Sequence, residues 1–141
     1  MKEVATAIEC TKAIEELIDN PDIRKKYAQR ARSLHTHIFS LGAAHVVSIT
    51  AARSSRNAVE TGLQLDDCRQ VVERIKATSL GPEEKSYALY GAVLLYALRK
   101  LGYLQSTTLA DALLELIGAA SDTMAYRQAD WLKRLAEAYF K

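Results

Sequence analysis

The sequence contains few of the residues that interrupt helices, Pro and Gly, or that cross-link a chain, Cys. Its 141 residues include only two Pro, six Gly and two Cys, against 49% hydrophobic and 26% charged residues. This composition excludes disordered and fibrous proteins, in which Pro and Gly are abundant or hydrophobic residues are scarce. The length favours a single domain over residues 1–141.

The two cysteines stand far apart, and neither belongs to a Cys-x-x-Cys pair. Because Cys is among the residue types most often buried, we expect Cys10 and Cys68 to be buried free thiols. The first residues also lack the apolar stretch of a secretory signal, since Glu9, Glu15 and Glu16 recur there. We therefore expect the protein to lie in the reducing cytoplasm.

The sequence also lacks a run long enough to cross a membrane. Its longest stretch without Asp, Glu, Lys, Arg or His, residues 86–98, has 13 residues, whereas a transmembrane helix needs about 18 or more apolar residues. This stretch therefore predicts a buried core helix, and no membrane partner is expected.

Apolar residues recur every three or four positions through most of the chain, which predicts amphipathic helices. We expect helices over residues 2–19, 22–40 and 43–53, and further helices that begin near residues 66, 82, 109 and 122. Residues 46–50 taken alone resemble a strand, but no second strand signal is present for them to pair with. Residues 54–62 predict a polar connection with Gly62 as its turn residue. The predicted fold is all-α, a compact single-domain bundle of about six or seven helices.

Acidic residues are missing from one part of the chain. Residues 23–59 hold seven Lys and Arg, all three His and no Asp or Glu, whereas the remainder holds 12 basic and 17 acidic residues. Like charges four residues apart on a helix repel, so a solvated helix surface ordinarily mixes both signs. The segregation favours contact with nucleic-acid phosphates over docking on an acidic protein surface. Only Tyr27 and Phe39 are interleaved aromatics, which indicates backbone contacts with little reading of bases.

Motifs for chemistry are absent from the sequence. It has no Gly-x-Ser-x-Gly, no Gly-rich phosphate loop and no Cys in a Gly-rich elbow. His35 and His37 are two residues apart, about 200° around a helix, so they cannot bind one metal ion from the same side. The adjacent acid pairs, such as Glu83 and Glu84, are explained by the preference of helix starts for negative charge. We expect no enzyme activity, no metal and no cofactor.

Three stretches of the chain follow the order of a known family. They are residues 26–53 from Lys26-Tyr27 through Gly42, residues 86–98 beginning Ser86-Tyr87-Ala88-Leu89-Tyr90, and the ending Tyr126-Arg127 with Trp131-Leu132-Lys133-Arg134-Leu135. The chain resembles the small all-helical subunit, numbered fifth, of the type III-B (Cmr) CRISPR RNA-guided effector complex. It differs from that family at His35, where Pro is usual, and at Leu41, where Asn is usual.

The resemblance implies a structural role without catalysis. Such subunits stack head to tail as the inner filament, beside the backbone subunits that hold the guide RNA, and line the groove of the guide–target duplex. On the charge count, the resemblance assigns the RNA-facing surface here to Arg24, Lys25, Lys26, Arg30, Arg32, Arg53 and Arg56. Lys133 and Arg134 project outward from the last helix and are expected to contact a partner. The related subunit of the type III-A complex stays open as a variant.

A second function stays open on the sequence alone. The break at Gly42 between two predicted helices is compatible with a helix-turn-helix, so the alternative is a small DNA-binding transcriptional regulator that acts as a dimer.

Overall fold

The computed structural model describes residues 1–140, which form eight α-helices without strands. The all-α prediction is confirmed, and the expected six or seven helices are slightly too few. The helices are α1 (Lys2–Leu17), α2 (Pro21–Leu41), α3 (Ala43–Ala52), α4 (Arg56–Gln64), α5 (Cys68–Lys76), α6 (Pro82–Lys100), α7 (Leu109–Glu115) and α8 (Ala119–Phe140).

Helix α6 is the centre of the bundle. Every residue from Ser86 to Leu98 is buried, and α1, α2, α3, α4, α5 and α8 all pack against α6. A helix that is apolar all round has to be enclosed by others, and each fully buried Leu or Tyr side chain contributes about 1.5–3 kcal/mol. The prediction of a core helix from the uncharged run is confirmed. No helix within residues 1–140 is long and apolar enough to span a bilayer.

Short polar side chains begin several helices, as the sequence predicts. The Asn20 side chain accepts a hydrogen bond from the backbone N–H of Asp22 at 2.8 Å, and Pro21 occupies the first helical position of α2. Asp67 and Thr108 cap α5 and α7 in the same way. Gly42 has φ +93° and separates α2 from α3.

The segment over residues 54–62 is not a connection, and the prediction of Gly62 as a turn residue is wrong. Ser55 caps α4 by accepting a hydrogen bond from the backbone N–H of Ala58 at 3.0 Å, and Gly62 lies inside that helix. A Cβ atom at Gly62 would overlap the carbonyl oxygen of Ala92 on α6. The glycine is therefore present because the two helix backbones approach closely, a tertiary cause that local sequence does not reveal.

The cysteines are buried as expected, but the prediction of free thiols is wrong. Cys10 on α1 and Cys68 at the start of α5 form a disulfide with Cα atoms 5.3 Å apart. Beside it, the Glu9 carboxylate accepts hydrogen bonds from the backbone N–H of Cys68 at 2.9 Å and from the Tyr96 hydroxyl at 2.7 Å. The disulfide forms because α1 packs against α5, which the spacing of two cysteines in sequence cannot show.

Replacing Gly62 by Ala is expected to destabilise the protein. Ala is favoured over Gly inside a helix by about 1 kcal/mol, but the clash with Ala92 should reverse this gain and cost about 1–3 kcal/mol or more. Urea unfolding measures the difference. Gly81→Ala is the control, because a Cβ there meets no atom closer than 3.6 Å. Equal or greater stability of Gly62→Ala would contradict this packing.

Thiol titration of the denatured, unreduced protein is expected to find no free thiol. The crosslink spans a sequence separation of 58 residues, and the chain-entropy relation gives about 4 kcal/mol of stabilisation for a loop of that length. Reducing agent should lower the unfolding midpoint of the wild type and leave that of Cys10→Ala/Cys68→Ala unchanged. Two reactive thiols per chain would contradict the disulfide.

Candidate nucleic-acid interface

The predicted basic residues on α2 are divided between two edges of that helix. Helix α2 packs against α6 on one side and against α8 on the other. Because two residues correspond to about 200° of helix rotation, Arg30 faces α6 while Arg32 faces α8. The seven predicted cations therefore do not converge on one surface.

The edge of α2 that faces α6 carries a compact basic cluster. The Arg30 guanidinium carbon lies 4.1 Å from the centre of the Tyr87 ring, and that of Arg53 lies 5.5 Å from the same ring. Arg30 also donates to the Ser86 hydroxyl at 3.3 Å. Lys26 stands one turn before Arg30 on the same edge. We call these residues, Lys26, Arg30 and Arg53 around Tyr87, the Tyr87 cluster.

Tyr87 holds the two guanidinium groups in place. Tyr87 is almost fully buried, at 8% exposure. Its ring therefore contacts the arginines and is not open to a ligand from solvent. A guanidinium over an aromatic face gains about 0.5–2 kcal/mol, depending on how far it is removed from water. The arrangement fixes where Arg30 and Arg53 present their N–H groups.

Several cations of this region keep their charge available. Within residues 1–140, Lys25 and Arg53 have no carboxylate at ion-pair distance, and both are exposed. Arg30 pairs with Glu83 at 3.2 Å; the Arg30 side chain is 17% exposed and the Glu83 side chain 66% exposed. The carboxylate side of this pair is open to solvent, and exposed ion pairs contribute only about 0–1 kcal/mol. A phosphate can therefore take the place of the Glu83 carboxylate.

Two other predicted residues are engaged with the protein itself. Arg24 donates from Nε to the carbonyl oxygen of Ile18 at 2.5 Å and from Nη2 to that of Glu15. It thereby satisfies carbonyl groups at the end of α1, which have no partner within the helix. Arg56 forms an ion pair with Glu60 at 3.8 Å on α4.

The opposite edge, where α2 meets α8, holds three cations and two carboxylates that pair with them. Glu137 lies 3.8 Å from both Arg32 and Lys133. Asp130 lies 3.0 Å from Arg134. We call these five residues the α8 edge.

The acids that residues 23–59 lack come from two sources. The flanking residues Asp22 and Glu60 pair with Lys26 and Arg56 within one helix. Glu83 of α6 and Glu137 of α8 pair with Arg30 and Arg32, which the charge pattern along the chain could not reveal.

His35 is buried where α2 packs against α8. Its ring stacks on that of Tyr126 with centroids 4.3 Å apart, and its Nε2 lies 3.6 Å from Asp130. Burial lowers the pKa of His35 below its ordinary value of 6.5; Asp130 and Glu137 act in the opposite direction, and Lys133 and Arg134 add to the lowering. His37 and His45 are exposed.

This burial predicts a pH-dependent stability. In the unfolded chain His35 takes up a proton as the pH falls through 6.5, whereas the folded state resists protonation until a lower pH. Its contribution is therefore complete above pH 6.5 and is lost as the pH falls toward the lowered pKa. The free energy of unfolding of the wild type should fall more steeply between about pH 7 and 5 than that of His35→Gln. Parallel curves for the wild type and His35→Gln would contradict the lowered pKa of His35.

No family model, curated protein or solved structure matches this chain.

Proposed function

We propose that this chain is a non-catalytic, RNA-contacting subunit of a type III-B CRISPR effector complex. The observation that carries the proposal is the Tyr87 cluster. Here cations of α2 and of the end of α3, which are distant in sequence, come together around Tyr87 of α6.

The chemistry of this cluster suits an RNA backbone. Guanidinium groups present planar pairs of N–H donors that match the oxygens of a phosphate. A surface that follows phosphates binds without regard to sequence, as a subunit lining a guide–target duplex must. Held by Tyr87, Arg30 lies ready for a phosphate with little loss of side-chain freedom.

The resemblance extends the proposal to partners. Trp131 and Leu135 of the family-like ending lie on α8 and pack on the core, while Lys133 and Arg134 stand at the α8 edge. In this proposal the Tyr87 cluster faces guide and target RNA. Copies of the chain stack head to tail beside the backbone and large subunits of the Cmr complex, in the cytoplasm. Lys133 and Arg134, which pair with carboxylates of α8 itself, face protein neighbours.

The helix-turn-helix alternative receives less support. Gly42 alone joins α2 to α3, whereas a helix-turn-helix has a turn of three or four residues. Helix α3 has no Lys or Arg between Ala43 and Ala52, so it lacks the long cationic side chains that most often read guanine in the major groove.

The test is the salt dependence of target-RNA retention by the reconstituted effector complex. Arg30→Gln/Arg53→Gln removes two cations of the Tyr87 cluster. If each contacts one phosphate, the slope of log affinity against log salt should become shallower by about 1.4. Affinity should fall for all target sequences alike, since phosphates carry no sequence information.

Arg69→Gln/Arg74→Gln is the matched control, because it removes two exposed cations of α5. This control should retain the wild-type slope. A wild-type slope for the Arg30→Gln/Arg53→Gln complex, or preferential binding of a specific DNA duplex by the free protein, would contradict the proposal.

A further inference from the structure

Three aromatic rings form a column across the groove between α2 and α8. His35, at the inner end, is 7% exposed, and Phe39, at the outer end, is 80% exposed. Tyr126 lies between them, with ring centroids 4.3 Å from His35 and 5.7 Å from Phe39. The column therefore ends in an aromatic face that is open to solvent. The packing of the helices does not account for this exposed ring.

A depression of about 410 Å³ lies beside the open ring. Its floor includes Ile38 and Tyr126, and its rim carries the polar groups of Thr123, Arg127 and Asp122. Its volume falls in the range of small-ligand sites. An apolar floor with hydrogen-bonding groups at the rim suits a flat group that has apolar faces and a polar edge.

We infer that Phe39 and this depression bind an unpaired nucleobase of single-stranded RNA, stacked on the Phe39 ring. The inference rests on the proposed function for its ligand and adds a base contact that backbone tracking does not require. Stacking on an aromatic ring tolerates every base, because each base has a π-face.

Charge near the column favours a nucleic acid over an apolar protein segment. Arg32 stands seven residues before Phe39, about 10.5 Å along the same side of α2. Its side chain is 47% exposed and lies 3.8 Å from Glu137, a weak pair that a phosphate of the same strand can replace. Arg127 on the rim is 56% exposed and is held at 3.4 Å by Glu3. The carboxylate of Asp122 is occupied, since its Oδ1 accepts a hydrogen bond from the backbone N–H of Ala43 at 2.8 Å.

The experiment compares the binding of short oligoadenylate to the full chain and to Phe39 variants. Phe39→Ala should weaken binding about 5- to 150-fold, the range for one lost stacked base. Phe39→Trp should retain affinity, and Phe39→Leu should lose nearly as much as Phe39→Ala because it keeps the apolar surface and removes the ring. Leu114→Ala is the control for loss of an exposed apolar side chain, since Leu114 is 68% exposed.

A second probe separates bases from phosphates. An abasic oligonucleotide carries the same charges without bases, so Phe39→Ala should bind it as the wild type does. The slope of affinity against salt should be unchanged in Phe39→Ala and shallower in Arg30→Gln/Arg53→Gln.

Three results would overturn the inference. Wild-type oligoadenylate affinity of Phe39→Ala or Phe39→Leu would exclude base stacking there. If Arg30→Gln/Arg53→Gln still flattens the salt dependence, the proposed function survives that failure. A change in oligomeric mass of Phe39→Ala by light scattering, with RNA affinity intact, would assign the ring to a protein contact. Absence of any RNA binding by the wild type, alone and in the complex, would remove both proposals.

Discussion

The enclosure of α6 is the constraint on which the rest of this structure depends. Thirteen consecutive residues of that helix, Ser86 to Leu98, are buried, so other helices must cover it on every side. Neighbouring helices approach α6 most closely at glycines, which have no side chain. Gly62 meets the backbone of Ala92, and a Cβ at Gly91 would overlap the Thr50 side chain. Tyr87, at the first turns of the same helix, then orients Arg30 of α2 and the exposed Arg53 at the end of α3.

The second physical theme is the separation of charge along the chain and its partial recombination in space. The +7 of residues 23–59 is reduced by acids that α6 and α8 bring alongside α2. Glu137 and Asp130 offset two of the three positive charges of the α8 edge, whereas Glu83 is the exposed partner on the α6 side. The positive charge that remains available is smaller than the linear count indicates. It is concentrated at the Tyr87 cluster, while exposed Lys25 lies on the Arg32 side of α2. The backbone contact proposed at the Tyr87 cluster therefore depends on three cations rather than seven.

Some of the fold could be predicted because its causes are local. Helical periodicity, the caps at Asn20 and Asp67 and the uncharged run at α6 all act within a few residues of the sequence. The failures have tertiary causes. Glycine is typical of turns, but Gly62 lies inside a helix where α4 contacts α6. Cys10 meets Cys68 only because α1 packs against α5.

The candidate site likewise has features that the sequence could predict and features that depend on the fold. The set of cations could be read from the sequence, but their division between two edges of α2 depends on which helices flank it. Arg24 illustrates the limit, because its guanidinium is turned onto the end of α1. Phe39 was visible as an interleaved aromatic, yet only the fold shows its ring to be open and continued inward by Tyr126 and His35.

Lysine footprinting in the assembled effector complex tests the central claim most directly. Lys26 belongs to the Tyr87 cluster that is proposed to face RNA, whereas Lys12 and Lys76 are exposed on α1 and α5. Acetylation read by mass spectrometry should show that target RNA protects Lys26 and leaves Lys12 and Lys76 as reactive as before. Unchanged reactivity at Lys26 on addition of RNA, in a complex that has bound its target, would contradict the account.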